Sequence, residues 1–596
     1  MATSKTQPAA GTSEQRYGMQ IDWDAPIVMN DGVVIRADVF RPLGDDLVPA
    51  IVSYGPYGKG MRFSTHHPAQ WGQLTGDCPE VLEGSTGDLQ AWETVDPEKW
   101  VPHGYAVVRA DSRGAGRSEG FLDPHSPREH QDTAAVVDWA GTQPWSSGKV
   151  AMLGLSYYAT NGWLVAALDD PPNHLAAICA WEGSGDSYRD TSRHGGIHSP
   201  WAKNWWESRI LPLQHGYGDR GERSQNTGEL VAGPETLSDD ELAANRTDFI
   251  NERQLHPLDD EWTHERSVRW RNIKVPVLTA GNWGGAALHL RGNVNGFVHS
   301  ATDQKWLEVH TREHWTHFYS GYGLDLQKRF LDCFLKGDKY GWKDQPRVQL
   351  NIRRPGEIVD VRGETNWPIP DTAWTRSYLN AADTSDGKLT EAAPGAAQVS
   401  FEALGDGVRF LTDPATEDLE VTGPVAAKLF ISSSTTDADL FLVLHVYDPD
   451  GREVTFQGAM DPLSTVGKGW LRASHRKLDD TLTTEYQPWH THDEIQPLTP
   501  GQIYELDVEI WPTSIVVPVG YRVGLSILGR DYFHPAPEDS AQFDNFGAGV
   551  PRNGSGGFLH VDPQDRPESI FGGTTTVHTG ADHPSYLLLP VIPPRS

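Results

Sequence analysis

One segment narrows the possible folds more than any other. Residues 150–155 (Val-Ala-Met-Leu-Gly-Leu) form an uninterrupted apolar run that ends at Ser156, and residues 156–168 then read as a helix. An apolar run without polar alternation marks a strand buried on both faces. A strand that feeds directly into a helix belongs to a mostly parallel sheet covered by helices on both sides. Further runs at 49–54, 104–110, 176–181, 276–280 and 306–310 supply more strands, and 126–141 and 324–336 carry helical spacing. A turn at Asn30-Asp31-Gly32 joins strands near the start.

Two polar stretches, 60–100 and 186–271, interrupt the alternation and read as insertions over the sheet. Beyond about residue 365 the pattern changes to short alternating runs separated by Gly, Pro and Asp, such as 425–432, 440–447, 503–510 and 521–527. This half reads as an all-β sandwich of the jelly-roll type. The expected organisation is therefore a loose tail at 1–16, an α/β unit at 17–365 with a cap insertion at about 186–271, and a β-sandwich (galactose-binding-like) at 366–596. At 596 residues the chain is too long for a single core. Asp448-Pro449-Asp450-Gly451 reads as a hairpin turn, because the remaining ligands of a calcium loop are absent.

The charge of −31 argues against nucleic acid and against an anionic membrane surface as partners. No apolar stretch reaches the roughly 20 residues of a spanning helix, and the first 16 residues lack the apolar centre of a signal peptide. The three cysteines, Cys78, Cys179 and Cys333, form no CxxC pair and suit a reducing, cytoplasmic compartment. The 22 tryptophans fit both core packing and an aromatic-lined pocket. A homo-oligomer is compatible with all of this.

A serine lifted on a sharp turn between a buried strand and a helix is the setting of a nucleophile elbow. The helix N-terminus adds positive potential where an oxyanion would develop. The usual G-x-S-x-G pattern fails at its last position, which here is Tyr158, and a serine at a helix start is also a good N-cap.

Gly154-Leu155-Ser156-Tyr157 resembles the G-x-S-Y signature of the cocaine-esterase-like (CocE/NonD) family of α/β-hydrolases, related to X-Pro dipeptidyl peptidases. Three further segments carry the resemblance: Pro56-Tyr57, the run from Asp111 to Gly120 with its D-x-R-G-x-G-x-S-x-G pattern, and Gly469-Trp470-Leu471-Arg472-Ala473-Ser474 in the β half. The resemblance implies Ser156 as nucleophile and an oxyanion hole made by the Tyr57 hydroxyl and the Tyr157 N–H. It also implies a histidine after the last strand of the sheet, which places His314 as the base, ahead of His317 and His310. The family's aspartate position falls on Gly284 or Gly285, a departure from the pattern. Glu182, directly after the strand at 176–181, is the expected substitute acid, with Asp186 as the alternative.

The expected function is a serine hydrolase acting on a small-molecule ester or amide, with no metal or organic cofactor. Acyl transfer or peptidase activity through the same serine stays open, as does an inactive binding protein. His310-Thr311-Arg312-Glu313-His314 fits H-x-x-E-H, but a zinc hydrolase would need that run on a helix, whereas it follows a strand.

Overall fold

The computed structural model describes residues 11–338, 341–381, 386–535 and 553–595. Apart from a two-stranded ribbon at Arg193–His194 and Ile197–His198, the strands of the first half form one sheet: β1 (Thr12–Arg16), β2 (Met19–Val28), β3 (Val34–Pro42), β4 (Val48–Gly55), β5 (Ala106–Asp111), β6 (Ser146–Leu155), β7 (Leu175–Trp181), β8 (Val277–Asn282), β9 (Lys305–His310), β10 (Val348–Arg354) and β11 (Ile358–Glu364). Their spatial order is β1-β2-β3-β5-β4-β6-β7-β8-β9-β10-β11. Pairing is parallel from β5 through β10 and antiparallel at both ends.

Successive side chains on a strand point to opposite faces, and the core divides accordingly. Val52, Val108, Met152 and Ile178 pack with Val136 and Trp163 of helices Pro127–Thr142 and Tyr157–Ala166. Their neighbours Ile51, Val107, Ala151 and Cys179 pack with Leu326 and Phe330 of helix Gly321–Leu331 on the other side. Unbroken apolar runs are thus what a sheet covered on both faces requires. Helix Pro127–Thr142 starts as its sequence dictates, with proline at its first position and Ser126 accepting from the Glu129 N–H at 3.3 Å.

Residues 12–16, expected in a loose tail, instead form the edge strand β1, paired antiparallel with β2. Their side chains are almost all exposed, so no apolar alternation announces the strand. Residues 1–10 of the expected tail lie outside the described residues.

The second half forms a separate eleven-stranded sheet, from Ala373–Asn380 to Tyr586–Ile592, folded around Leu429, Leu440, Leu442, Val508 and Leu525. Asp448 closes the expected hairpin turn by accepting from the N–H groups of Asp450 and Arg452. The two halves share a buried seam in which Trp283, Leu307 and Val309 meet Phe441, Val443 and Trp470. Arg353 crosses it, fully buried, donating to the carbonyls of Ser514 at 2.8 Å and Val466 at 3.0 Å. Short helices between β7 and β8, among them Trp201–Trp205 and Phe249–Leu255, lie over the C-terminal ends of the central strands.

Candidate active site

β6 delivers Ser156 to a turn with φ 59° and ψ −114°, a backbone conformation that costs energy for a residue with a side chain. The turn is held from both sides. The Ser156 N–H donates to Trp181 O at 3.0 Å, and the Leu155 N–H donates to Glu93 O at 3.0 Å. Tyr158, the residue that breaks the G-x-S-x-G pattern, lays its ring against two glycines. A Cβ on Gly154 would stand 2.4 Å from Tyr158 Cβ, and one on Gly55 would stand 2.7 Å from its ring. The small residues a tight elbow needs are therefore present, at positions 55 and 154 rather than 158.

Ser156 opens onto a cleft with an open volume of about 920 Å³, whose walls include Tyr57, Trp92, Trp205, Phe249 and Arg253. Trp100, Trp163, Trp181 and Trp315 are instead fully buried in the core, so the abundance of tryptophan serves both purposes. Tyr57 accepts from Trp205 Nε1 at 3.0 Å, which leaves its own proton available. Burial first, then the charge of Glu93, push its hydroxyl well above the ordinary tyrosine value, so it stays a donor. Tyr157 is the first residue of its helix, and its N–H has no intrahelical acceptor. Its side chain turns away to donate to Glu129.

The histidine within hydrogen-bond distance of Ser156 is His289, with Nε2 3.2 Å from Oγ. His314, the residue expected there, lies one ring farther on, stacked on His289 at 5.1 Å between centroids and 10° between planes. Its Nδ1 donates to Glu182 Oε2 at 2.9 Å and its Nε2 to Glu93 Oε1 at 3.1 Å. Glu182, at the end of β7 with φ 45°, is fully buried and collects the cluster. Its Oε1 accepts from His310 Nε2 at 2.9 Å, and its Oε2 lies 3.9 Å from His289 Nδ1. The carboxylate expected to orient a histidine therefore hydrogen-bonds two and lies 3.9 Å from a third.

The electrostatics separate the two stacked rings. Burial dominates at His289, with His314 adding to it, and holds the imidazole down to about 3. At His314 burial opposes the charge, but Glu182 and then the hydrogen bonds to Glu182 and Glu93 overcome it and raise the group to about 9. At Glu182 burial favours the neutral acid, yet His314 and His310 keep it ionised far below the usual carboxylate range. Neutral His289 thus sits beside the serine, and cationic His314 sits on the carboxylates.

Of the two candidate aspartate positions, Gly284 is closed by sterics, while a Cβ on Gly285 would come no nearer than 3.0 Å, to Asn282 O. A Cβ on Gly284 would stand 2.2 Å from Gly458 Cα of the β half, so no side chain fits there. The same loop of the β half receives the His314 N–H at Ala459 O, 3.1 Å away, and contributes Met460 to the cleft. Asp186 caps the turn after it through the N–H groups of Tyr188 and Arg189, and pairs with the Arg189 guanidinium at 2.9 Å. His317 lies tilted against His310, 5.0 Å between ring centroids. Glu313 accepts from Gln73 and Thr316. His310, Glu313 and His314 share no helix and no common centre. Among the described residues, the group able to hold a metal ion is Glu182, His289 and His314, with donor atoms within 4.8 Å of one another. His289 follows β8 by a short turn and precedes helix Leu290–His299. A histidine just past a strand end was the available signal, masked by the expectation of an aspartate a few residues earlier.

Residues 31–319 match the family model of the X-Pro dipeptidyl-peptidase (S15 family), and residues 340–588 match the X-Pro dipeptidyl-peptidase C-terminal non-catalytic domain. The chain is 26% identical to a cocaine esterase of Rhodococcus sp., covering 95% of this chain and 97% of that protein. It is 27% identical to a putative serine esterase of Mycobacterium bovis, covering 85% and 90%. A CocE/NonD family hydrolase from Staphylococcus aureus superimposes with a TM-score of 0.81 at 29% identity, covering 96% of this chain and 94% of that one. No helix among the described residues is long and apolar enough to cross a membrane.

Proposed function

Because the chain belongs to the CocE/NonD family of serine hydrolases related to the X-Pro dipeptidyl peptidases, we propose that Ser156 is its nucleophile, His289 its general base and Glu182 the carboxylate that supports the base. The observation that carries this reading is the 3.2 Å approach of Ser156 Oγ to His289 Nε2. A general base must be unprotonated and within hydrogen-bond reach of the proton it takes. His289 meets both conditions.

In this mechanism His289 Nε2 takes the Ser156 proton as Oγ attacks the carbonyl carbon of an ester or amide. The Tyr57 hydroxyl and the Tyr157 N–H stabilise the oxyanion, each such donor being worth roughly 3 kcal/mol of barrier. His289 returns the proton to the leaving group, and a water repeats the sequence on the acyl-enzyme. Glu182 Oε2 favours the transient imidazolium from 3.9 Å. His314, tied to Glu182 and Glu93, fixes the carboxylate. The metal reading of Glu182, His289 and His314 is weaker, because these donors are already engaged with one another and with Ser156. Small-molecule esters and amides suit the aromatic-walled cleft, and the three cysteines, none in a disulfide, suit a cytoplasmic setting.

A fluorophosphonate probe tests the nucleophile. Peptide mapping is expected to find the adduct on Ser156 and none on Ser156→Ala; an adduct elsewhere, or none on the wild-type protein, overturns the assignment.

A further inference from the structure

The cleft carries a cation that the chemistry at Ser156 does not use. Arg253, on helix Phe249–Leu255, is only 6% exposed and lines the same cleft as Ser156. Among the described residues its guanidinium donates through Nη2 alone, to Thr191 O at 2.7 Å and Thr191 Oγ1 at 3.3 Å. Its Nε is buried with no partner. No described carboxylate comes within ion-pair distance of it.

Arg109 and Arg353 are likewise buried without a carboxylate, but each donates through two nitrogens to backbone carbonyls inside the core, whereas Arg253 faces the cleft. The neighbouring buried arginines are all matched. Arg193 lies 2.6 Å from Asp565, Arg266 lies 3.2 Å from Asp123, and Arg291 lies 3.1 Å from Asp190. Buried charges are ordinarily paired, because an unpaired one forfeits its hydration. Burial, then Arg193 and Arg266, pull Arg253 down to about 9, which leaves it a cation at neutral pH, and an incoming carboxylate would relieve that penalty.

An aromatic wall connects this cation to the serine. Tyr157, next to Ser156, stacks on Trp205 at 6.1 Å; Trp205 meets Phe249 at 5.6 Å; and the Arg253 guanidinium sits 5.3 Å over the Phe249 ring. The histidines that share the cleft add no charge, since burial lowers His66 to about 4 and holds His67 and His125 well below the ordinary value.

We propose that Arg253 binds a carboxylate at the far end of the substrate, so that the preferred substrates are esters or amides with an apolar or aromatic body ending in an anionic group. The proposal rests on the reading of Ser156 as nucleophile. A substrate lies with its carbonyl at Ser156, its body along Trp205 and Phe249, and its carboxylate on the Nε and Nη edge of Arg253.

The test compares the 4-nitrophenyl monoester of adipic acid with the same compound capped as its methyl ester. Wild-type kcat/KM is expected to favour the free carboxylate by about tenfold or more, the scale of a hydrogen bond to a charged group. Arg253→Gln should bring the ratio near one, and Arg253→Lys should keep part of it. Equal or reversed preference in the wild type, or an unchanged ratio in Arg253→Gln, overturns the proposal.

A wild-type experiment covers the case in which the variant does not fold. 6-Phenylhexanoate is expected to protect Ser156 from the fluorophosphonate at concentrations where 6-phenylhexanamide does not, and equal protection overturns the proposal. Absence of labelling would be a failure of the serine reading instead. Calorimetric binding of the same carboxylate against its amide then decides Arg253 alone: tighter binding of the carboxylate supports it and equal binding overturns it.

Discussion

Replacing His289 with alanine is expected to lower kcat for an activated ester by about 10⁶-fold, the loss seen when the base of a serine triad is removed. The expectation follows from contact and charge together. His289 is the imidazole that reaches Ser156 Oγ, and burial keeps it unprotonated. Without it the Ser156 proton has no acceptor within reach, and fluorophosphonate labelling should slow with turnover. His314→Asn should cost less, because His314 touches Glu182 and Glu93 and does not touch the serine. Circular dichroism and thermal unfolding of both variants separate lost chemistry from lost folding. A loss in His314→Asn that exceeds the loss in His289→Ala would reverse the roles of the two rings.

Glu182→Gln is expected to cost about 10⁴-fold in kcat, the scale reported when a triad acid becomes an amide. Here the change also strikes the fold. The carboxylate receives protons from His310 and His314 inside a fully buried cluster. Breaking one side of a buried ion pair costs about 3–5 kcal/mol. The pH dependence identifies the cause. His310 and His314 are both raised to about 9, above their unfolded value. Their contribution to stability is therefore complete below about pH 6.5 and fades as pH rises through 9. Wild-type thermal stability should decline between pH 6.5 and 9, and Glu182→Gln should flatten that slope. A variant as stable and as steeply pH-dependent as the wild type would show that Glu182 does not hold the cluster.

The parts of this site legible in sequence are those set by local pattern. The apolar run into Ser156 and the strand that ends at Glu182 come from short stretches whose burial is written in adjacent residues, whereas Tyr57 is marked only by the family resemblance. Position at the end of a strand, with chain order, points to Glu182 as a partner for a histidine, and its carboxylate hydrogen-bonds His310 and His314.

His289 was not legible, because its position depends on contacts distant in sequence. Gly458 excludes a side chain at Gly284, and the turn that follows carries the chain to a histidine instead. A local pattern that expects an acid after β8 and a histidine after β9 passes over it. The same holds for Tyr158, whose ring replaces the expected glycine only because Gly55, from a different strand, leaves room. β1 escaped notice for the opposite reason, being too polar and too exposed to carry an apolar signature.

The pH profile of kcat/KM for a neutral ester tests the central claim most directly. A base works only when deprotonated, so activity falls as pH drops through the pKa of the base in the free enzyme. With His289 as base, held down to about 3, kcat/KM is predicted to stay level from pH 8 down to about pH 5. An acid-side fall centred near pH 9, where His314 titrates, would contradict the account and make His314 the base.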